Sequence, residues 1–337
     1  MSEQVTIKRG TEIELNVESL AYGGMGLARV ENFVIFVKYA IPGQRVLARI
    51  YKKRKGYAEA QVLKTLIDSP NSVEVQCNHY WICSKIQSLS YDQQIKEKSE
   101  QVEDAFTRLG GFLDFKLDKV KKAELIYHYR NKMEFTFSPN RWVLESEPEG
   151  VDKSFALGLH IPGRFDKILD IHDCHIQPEI GNKILKVARE VCLSNPELRP
   201  YDPRSHIGFL RFLMIRFGTN TGDLMVNVVT SYHDIDKLSI LTDTLLDKFP
   251  EITSLVNNVN TRKADVAFGE YETLLYGKPF IQEKIGSLTF EISANSFFQT
   301  NTKQGEVLYQ EVENALELKG DEIIYDLYCG TGTIGLY

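Results

Sequence analysis

Apolar and polar residues alternate in short runs at the start of the chain, over residues 5–17, 33–37, 46–51 and 58–63. Glycine-rich and proline-containing turns separate these runs, at residues 22–26 and at Pro42 and Gly43. Alternation with a period of two is typical of β-strands that bury one face. Four or five short strands in succession therefore predict a small closed β-barrel.

Further along, apolar residues recur three and four positions apart, which is the period of an amphipathic helix. This spacing predicts helices at about 91–109, 178–193, 234–248 and 301–318, with strand patterns over 124–175, 206–232 and 280–293. The mixture indicates an α+β architecture for the middle of the chain. Near the end, the apolar run 323–327 predicts a buried strand that leads into a glycine-rich turn.

The helix predicted at 91–109 carries the clearest terminal signals. Ser90 at its start and Gln93 three residues later match the pattern of a capping box. Val102, Ala105, Phe106 and Leu109 predict one apolar face. Glycines follow directly and are expected to end the helix.

The composition is that of an ordinary globular protein, with 43% hydrophobic and 26% charged residues. No window approaches the roughly 18 consecutive apolar residues of a membrane span, and the N-terminus shows no secretory signal, so we expect a cytoplasmic protein without a membrane partner. The five cysteines are too few and too irregular for a disulfide framework, which fits a reducing compartment. They are Cys77, Cys83, Cys174, Cys192 and Cys329. Cys192 lies on the helix predicted at 178–193 and is expected in the protein core.

The net charge of −6 argues against a nucleic-acid binder, but the charges are unevenly placed. Residues 1–66 carry eleven Lys and Arg against six Asp and Glu. A basic first segment on an acidic body is typical of a module that contacts a polyanion, and the oligonucleotide-binding fold is the common template for such a small barrel. Within it, the run Lys52, Lys53, Arg54 and Lys55, flanked by Tyr51 and Tyr57, is the best candidate for RNA contact. The alternative is a solvated hairpin tip.

Residues 326–335 read DLYCGTGTIG, a strand followed by a turn in which missing side chains let a ligand approach the backbone. Gly330, Gly332 and Gly335 fit the G-x-G-x-x-G pattern, which by itself nominally indicates a dinucleotide. Such a fingerprint usually opens its domain, and Asp326 at the end of the strand suits S-adenosylmethionine at least as well. A tight turn without a ligand is the remaining interpretation.

Five stretches together resemble, in order, the RNA uracil-5-methyltransferases of the TrmA/RumA (RlmD-like) family. They are YRNKMEFTF at 129–137, LGLHIPGRFD at 157–166, TGDLMVN at 221–227, SANSFFQT at 293–300 and DLYCGTG at 326–332. The basic first segment resembles the TRAM domain that precedes the ribosomal-RNA members.

The resemblance implies a multidomain α+β protein. Its parts would be an OB-like TRAM barrel over 1–68, a central α+β domain over 69–286 and the beginning of a Rossmann-like methyltransferase domain over 287–337. Family members flip a uridine out of folded RNA, add a cysteine thiolate to C6 of the uracil, and methylate C5 from S-adenosylmethionine before a carboxylate removes the C5 proton. The TRAM-like segment favours large-subunit ribosomal RNA as the target, and a monomer is expected.

The resemblance also assigns individual residues. Gln299 and Tyr328 correspond to cofactor contacts, with Asp326, Gly330 and Gly332 in the same motif. Arg130 and Lys132 are the further candidates for RNA contact, against the alternative of a solvated strand face. The family's catalytic cysteine and glutamate correspond to positions after residue 337, so no catalytic residue is assigned and this chain alone is expected to be inactive. Cys329 is not that nucleophile and is expected to pack beneath the glycine-rich loop.

Ribosomal members of the family hold a [4Fe-4S] cluster with the spacing C-x5-C-x2-C and a distant fourth cysteine. Cys77 and Cys83 have the first spacing and Cys174 has the distant position, while the third ligand position falls on Ile86. Iron–sulfur clusters normally take four thiolates. Either His79 or an outside ligand completes a cluster here, or these are three ordinary reduced cysteines.

Two other functions stay open at the level of sequence. One is a non-catalytic RNA-binding protein that keeps the TRAM and central domains. The other is a nicotinamide-dependent enzyme, indicated only by the G-x-G-x-x-G pattern. Because a doubly wound sheet needs several parallel strands, we expect residues 288–337 to be poorly ordered or unstable in the isolated monomer, while the first two domains could fold alone.

Overall fold

The computed structural model describes residues 7–264 and 266–337. The chain forms two compact units, Met1–Lys122 and Ala123–Tyr337, called the first and the second unit below. The predicted domain boundaries at residues 68 and 286 each lie inside one of these units, and the three-domain division stays a prediction. Within the described ranges, none of the helices has both the length and the apolar character needed to cross a bilayer.

The first unit is built on a six-stranded sheet in the order β1-β5-β6-β4-β3-β2. Its strands are β1 Glu12–Asn16, β2 Ser19–Ala21, β3 Met25–Val30, β4 Phe33–Lys38, β5 Arg45–Lys53 and β6 Tyr57–Ile67. Alternate residues point inward and make an apolar core that includes Ile35, Val46 and Ala58. The sheet curls into a half-barrel with β1 and β2 as its edges, instead of the closed barrel that was predicted.

Helix α2, Tyr91–Asp104, covers the edge at β2 and continues into a π-helical turn, Ala105–Leu109; the short helix α1, Tyr80–Cys83, precedes it. The carboxylate of Glu97 is buried and accepts a hydrogen bond of 2.9 Å from the amide of Leu20, while Gln101 donates one of 3.1 Å to the carbonyl of Leu20. Both bonds replace those that a further strand would make with β2.

Two predictions for this helix are wrong. The predicted apolar face is exposed, with Leu109 at 89%, because the polar face carrying Glu97 and Gln101 is the one that docks on β2. Ser90 occupies the cap position without a side-chain cap hydrogen bond. Gln93 donates to Glu97 instead, at 2.9 Å.

The second unit contains an eight-stranded sheet in the order β14-β13-β12-β11-β7-β9-β10-β8 and a separate hairpin, β15–β16. The strands are β7 Lys132–Ser138, β8 Arg141–Trp142, β9 Ala156–His160, β10 Ile168–Asp170, β11 Leu210–Phe217, β12 Leu224–Thr230, β13 Ser254–Val259, β14 Tyr271–Gly277, β15 Phe280–Ile285 and β16 Leu288–Ser293. The helices are α3 Glu179–Ser194, α4 Ile235–Lys248, α5 Thr302–Leu316 and α6 Thr333–Leu336.

Every residue of the central strands β11, β12 and β13 is buried, which is the environment of a sheet covered on both faces. Helices α3 and α4 pack side by side in this unit. The helix predictions at 178–193, 234–248 and 301–318 are confirmed to within about two residues. Cys192 is buried on α3, as predicted. Helix α5 ends at Leu316, because the next residue, Glu317, has a left-handed φ of 47°, three residues before Gly320.

The end of the chain differs from its prediction. Residues 288–316 form β16 and α5, and Ile292 and Tyr309 share a core with Ile281, so regular structure continues past residue 288. The strand predicted at 323–327 does not form, and Ile323 and Leu327 are exposed. A parallel strand is held by hydrogen bonds to its neighbours, and no strand among the described residues pairs with this segment.

Candidate active site

The segment SANSFFQT at 293–300 is anchored by Asn131, which lies just before β7. The buried side-chain amide of Asn131 donates hydrogen bonds of 2.8 Å to the carbonyl of Gln299 and of 2.8 Å to Oγ1 of Thr302. Its backbone amide donates to the carbonyl of Thr300 at 2.8 Å. One asparagine of the first motif therefore fixes the end of the fourth motif, where α5 begins.

Thr302 passes this connection on to a buried carboxylate. Its hydroxyl donates to Glu283 on β15 at 2.8 Å, and Glu283 also accepts from the backbone amides of Thr219 and Asn220 at 2.7 and 2.9 Å. Glu283 is completely buried, which is tolerable because its oxygens are hydrogen-bonded. The Asn131–Thr302–Glu283 network thus joins β7, α5, β15 and the turn that leads into β12.

Buried polar residues of the large sheet hold the same segment from below. Arg216 on β11 donates to the carbonyl of Ser296 at 2.7 Å, and burial lowers the pKa of Arg216 to about 10. Asn295 donates to Asn258 on β13 at 3.1 Å, and Asn258 donates to Asn227 on β12 at 3.2 Å. Sequence reasoning missed these contacts. The sequence signal that could have revealed them is a polar side chain within an otherwise apolar strand.

The two residues assigned by resemblance to cofactor contact lie in different surroundings. Gln299 is half-buried beside Gly305 of α5, where an added Cβ would lie 3.3 Å from the Gln299 Cβ. Gly305 therefore leaves the room that the Gln299 side chain occupies. Tyr328 is fully exposed, at 103% of its reference area.

The glycine-rich turn has a backbone that needs glycine. Gly330 and Gly332 have φ values of 56° and 72°, and a Cβ at Gly330 would meet nothing within 4 Å. This open backbone fits the approach of a ligand such as S-adenosylmethionine. Asp326, however, accepts a hydrogen bond of 3.2 Å from the amide of Gly335. The turn is therefore open at Gly330, while the Asp326 carboxylate is engaged by the backbone of the turn itself.

Contacts around this turn place it on α5. The hydroxyls of Tyr309 and Thr333 are 3.0 Å apart, and the rings of Tyr309 and Tyr337 lie 5.8 Å apart. Cys329 is exposed, so the expectation that it packs beneath the loop is wrong. Residues 323–327 do not form the strand that was expected to lead into this loop.

Arg130 and Lys132 occur where the chain enters β7. Lys132 forms an ion pair of 2.5 Å with Glu134 on the same strand, and its side chain is largely covered. The Nε of Arg130 donates to the carbonyl of Lys132 at 2.9 Å. Arg130 also lines an open cleft of about 320 Å³ together with Asp223 and Glu251. Of the two, Arg130 is the one beside open space.

The basic run of the first unit forms the β5–β6 hairpin. The amide of Arg54 donates to the carbonyl of Tyr57 at 2.8 Å, and Arg54 and Lys55 are exposed at the tip. Lys52 pairs with Glu59 at 2.5 Å. Lys53 lies over the ring of Phe33 at 5.7 Å. The four predicted cations therefore lie on one hairpin. Lys52 and Lys53 contact neighbouring side chains, whereas Arg54 and Lys55 project into solvent at the tip.

The surroundings of Cys77 do not fit a cluster of four thiolates. Cys77 is buried, and the side-chain amide of Gln87 donates to its sulfur at 3.6 Å while accepting from its backbone amide at 3.3 Å. The third ligand position, Ile86, packs on Leu20 and Leu89. Over residues 7–264 and 266–337, no three His, Cys, Asp or Glu side chains are grouped so as to hold a metal ion. Cys83 is exposed in the first unit, and Cys174 is buried in the second.

Comparison with known proteins gives three findings. Residues 7–63 match the TRAM domain family. The chain is 39% identical over 330 residues to an uncharacterized RNA methyltransferase of Porphyromonas gingivalis, covering 95% of this chain and 70% of the relative. It is 39% identical over 344 residues to another from Chlorobaculum tepidum, covering 99% and 71%.

A solved structure shares the fold. The crystal structure of the Pyrococcus abyssi tRNA (uracil-54, C5)-methyltransferase in complex with S-adenosyl-L-homocysteine matches with a TM-score of 0.70 at 24% identity. The match covers 96% of this chain and 69% of that one.

Proposed function

Since this chain belongs to the TRAM-containing RNA methyltransferases of the TrmA/RumA family, we propose that it is the RNA-binding and base-positioning part of a uridine C5-methyltransferase that uses S-adenosylmethionine. The observation that carries the proposal is the fold shared along 96% of the chain with a uracil C5-methyltransferase that binds the demethylated cofactor. The five motifs in family order support it, and four of them lie in or against the large sheet of the second unit.

The reaction methylates a carbon that is not nucleophilic by itself. A thiolate adds to C6 of the uracil, the electrons make C5 a nucleophile, and C5 takes the methyl group that S-adenosylmethionine supplies when bound. A carboxylate then removes the C5 proton and the thiolate leaves, which gives 5-methyluridine. By resemblance, that cysteine and that carboxylate correspond to the part of the relatives that residues 1–337 do not cover.

Within this part, the Asn131–Thr302–Glu283 network would hold Gln299 at the start of α5, next to the cofactor. The TRAM domain would bind RNA around the uridine, with large-subunit ribosomal RNA as the favoured target. The exposed cations at the β5–β6 tip supply attraction to phosphate.

The test begins with the source DNA, read beyond codon 337. A frame that continues into a methyltransferase domain with a cysteine would yield the complete enzyme. This enzyme is incubated with S-adenosylmethionine carrying a labelled methyl group and with ribosomal or transfer RNA, and the digested nucleosides are separated by mass spectrometry. Labelled 5-methyluridine from large-subunit RNA is expected. Label on another atom or base would reject the proposal, and label only in transfer RNA would reject the ribosomal target.

The open glycine-rich turn favours a second candidate, a non-catalytic RNA-binding protein. Tyr328 is fully exposed and Asp326 is engaged by Gly335, so these residues do not enclose a cofactor by themselves. A stop codon confirmed at 338, with salt-sensitive RNA binding and no calorimetric binding of S-adenosylmethionine or NAD to the chain, would favour this candidate.

A further inference from the structure

The outer face of the half-barrel carries aromatic rings on neighbouring strands. Along β4, Ile35 and Val37 point into the core, so Phe36 points outward. Tyr57 of β6 lies next to it, and the two rings are 5.6 Å apart in an edge-to-face arrangement. Both residues are only half-buried. Two aromatic rings, set edge to face, are thus left partly exposed in the middle of this sheet.

A third ring and two lysines extend this surface. The hydroxyl of Tyr51 on β5 donates to Glu59 at 2.8 Å, which fixes the orientation of the ring. The Lys38 ammonium lies 4.6 Å from the centre of the Tyr51 ring, and the Lys52 ammonium lies 6.0 Å from that of Tyr57. The lysines therefore stand beside the rings.

The charge of this face suits a polyanion. Lys38 and Lys52 lie near the carboxylate of Glu59, and Arg54 and Lys55 follow at the exposed tip of the same hairpin. Hydrogen bonds from Lys52 and Tyr51 lower the pKa of Glu59, so it stays ionised and keeps both partners in place at neutral pH. The remaining cations have no second carboxylate among these residues to neutralise them.

Aromatic rings with cations next to them are suited to binding nucleic acid. Bases present flat faces and their phosphates present negative charge, and base–aromatic stacking tolerates any sequence. In a duplex those faces are already stacked inside the helix, so a duplex could offer only its phosphates. The arrangement therefore favours a single-stranded segment of RNA.

We propose that Phe36 and Tyr57 form a stacking platform for unpaired bases of the RNA substrate. Lys38 contacts the phosphates that flank those bases. The platform rests on the proposed RNA-binding function and adds to it the form of RNA that the first unit binds. It lies on the sheet face, beside the tip residues Arg54 and Lys55 and distinct from them.

The test uses the 337-residue chain and a fluorescein-labelled single-stranded RNA of about twelve nucleotides, with the duplex of the same sequence for comparison. Phe36→Leu and Tyr57→Leu keep an apolar residue on the strand and remove the ring. Each is expected to weaken single-strand binding about fivefold to 100-fold, the range for loss of one stacked base. The slope of log Kd against log salt should stay unchanged, because no phosphate contact is lost. Lys38→Gln should instead reduce that slope by about 0.7.

Tyr271→Leu is the matched control, since Tyr271 is an exposed tyrosine on β14 of the second unit. It should bind RNA like the unsubstituted chain, and circular dichroism with thermal unfolding checks that each variant is folded. As an independent readout, RNA containing 5-bromouridine should crosslink to the peptide that contains Tyr57. This crosslink needs no variant to fold.

Wild-type affinity of both Leu variants for the single strand, or an equal loss of affinity for the duplex, overturns the platform. In that case, continued formation of 5-methyluridine by the complete enzyme leaves the proposed function standing. If the unsubstituted chain binds neither RNA and the complete enzyme makes no 5-methyluridine, the proposed function itself fails. Capture of a protein instead of RNA by this face would also overturn the platform.

Discussion

The side chain of Asn131 donates a 2.8 Å hydrogen bond to Oγ1 of Thr302, 171 residues later in the chain. The same amide holds the carbonyl of Gln299, so a single buried side chain supports a half-buried residue that the resemblance assigns to the cofactor. Thr302 in turn donates to Glu283. The start of α5 is therefore positioned by polar contacts within the second unit.

Replacing Asn131 should destabilise the second unit. Asn131→Ala removes both side-chain hydrogen bonds and leaves the Gln299 carbonyl without this donor in a covered site, which costs about 1–3 kcal/mol. Urea unfolding followed by tryptophan fluorescence measures the loss. Asn140→Ala is the matched control, because the Asn140 amide makes a weaker, part-buried bond of 3.3 Å to Asp202. Equal stability of the two variants would contradict the role given to Asn131.

Substitution of Glu283 should be coupled to that of Asn131. Glu283→Gln turns one acceptor oxygen into a donor that faces the amides of Thr219 and Asn220, and we expect a loss of about 1–3 kcal/mol. Because both residues bond Thr302, the double variant should differ from the sum of the single variants by at least about 0.5 kcal/mol. Strictly additive losses in the same urea assay would show that the network does not act as a unit.

The cysteines should divide by burial into fast and slow thiols. Cys83 and Cys329 are exposed, whereas burial raises the pKa of Cys77 and brings that of Cys192 to about 12. Since the thiolate is the reactive form, a disulfide reagent at pH 8 should modify the exposed pair first. Mass spectrometry identifies the labelled peptides, and rapid labelling of Cys192 in the folded chain would contradict this.

The buried thiol of Cys192 should make the free energy of unfolding depend on pH. In the unfolded chain Cys192 ionises near its ordinary pKa of about 8.5, while the folded chain keeps it protonated up to about 12. The free energy of unfolding should therefore be unaffected below about pH 8 and fall as the pH rises beyond it. Cys192→Ala is the comparison, and it should remove this part of the alkaline loss. An identical alkaline loss in the variant would refute the assignment.

Iron should not assemble on Cys77. After anaerobic incubation with iron and sulfide, we expect no broad absorbance near 400 nm and no bound iron, because the Gln87 amide holds the Cys77 sulfur and Ile86 stands at the third ligand position. Ile86→Cys restores the missing thiol and serves as the comparison. A stable cluster in the unsubstituted chain would overturn this expectation and show that another ligand completes the set.

Helices α3, α4 and α5 were predictable because each buries an apolar stripe with a period that the sequence displays. Strand 323–327 was not, since its apolar run specifies burial but cannot supply the neighbouring strands that provide it. Helix α2 shows the opposite case. Its apolar residues were taken for the buried face, yet the carboxylate of Glu97 is the group that docks, and only the position of β2 reveals this.

The sequence could propose members of the candidate site but not the buried residues that support them. The motif residues Gln299 and Arg130 were identified by resemblance, and both lie beside open or half-covered space. The buried partners Glu283, Asn258 and Arg216 look in sequence like surface residues, because periodicity cannot distinguish a solvated polar side chain from one satisfied inside the fold.

Strand β2 is an edge of the TRAM half-barrel, and an open edge offers its amides and carbonyls to any other extended chain. At Leu20 both groups are already taken, by Glu97 and Gln101 of α2. A second copy of the protein could add a strand there only after displacing this helix. Helix α2 thus blocks edge-to-edge association of this sheet with the sheet of another molecule. This role is independent of RNA and of methyl transfer.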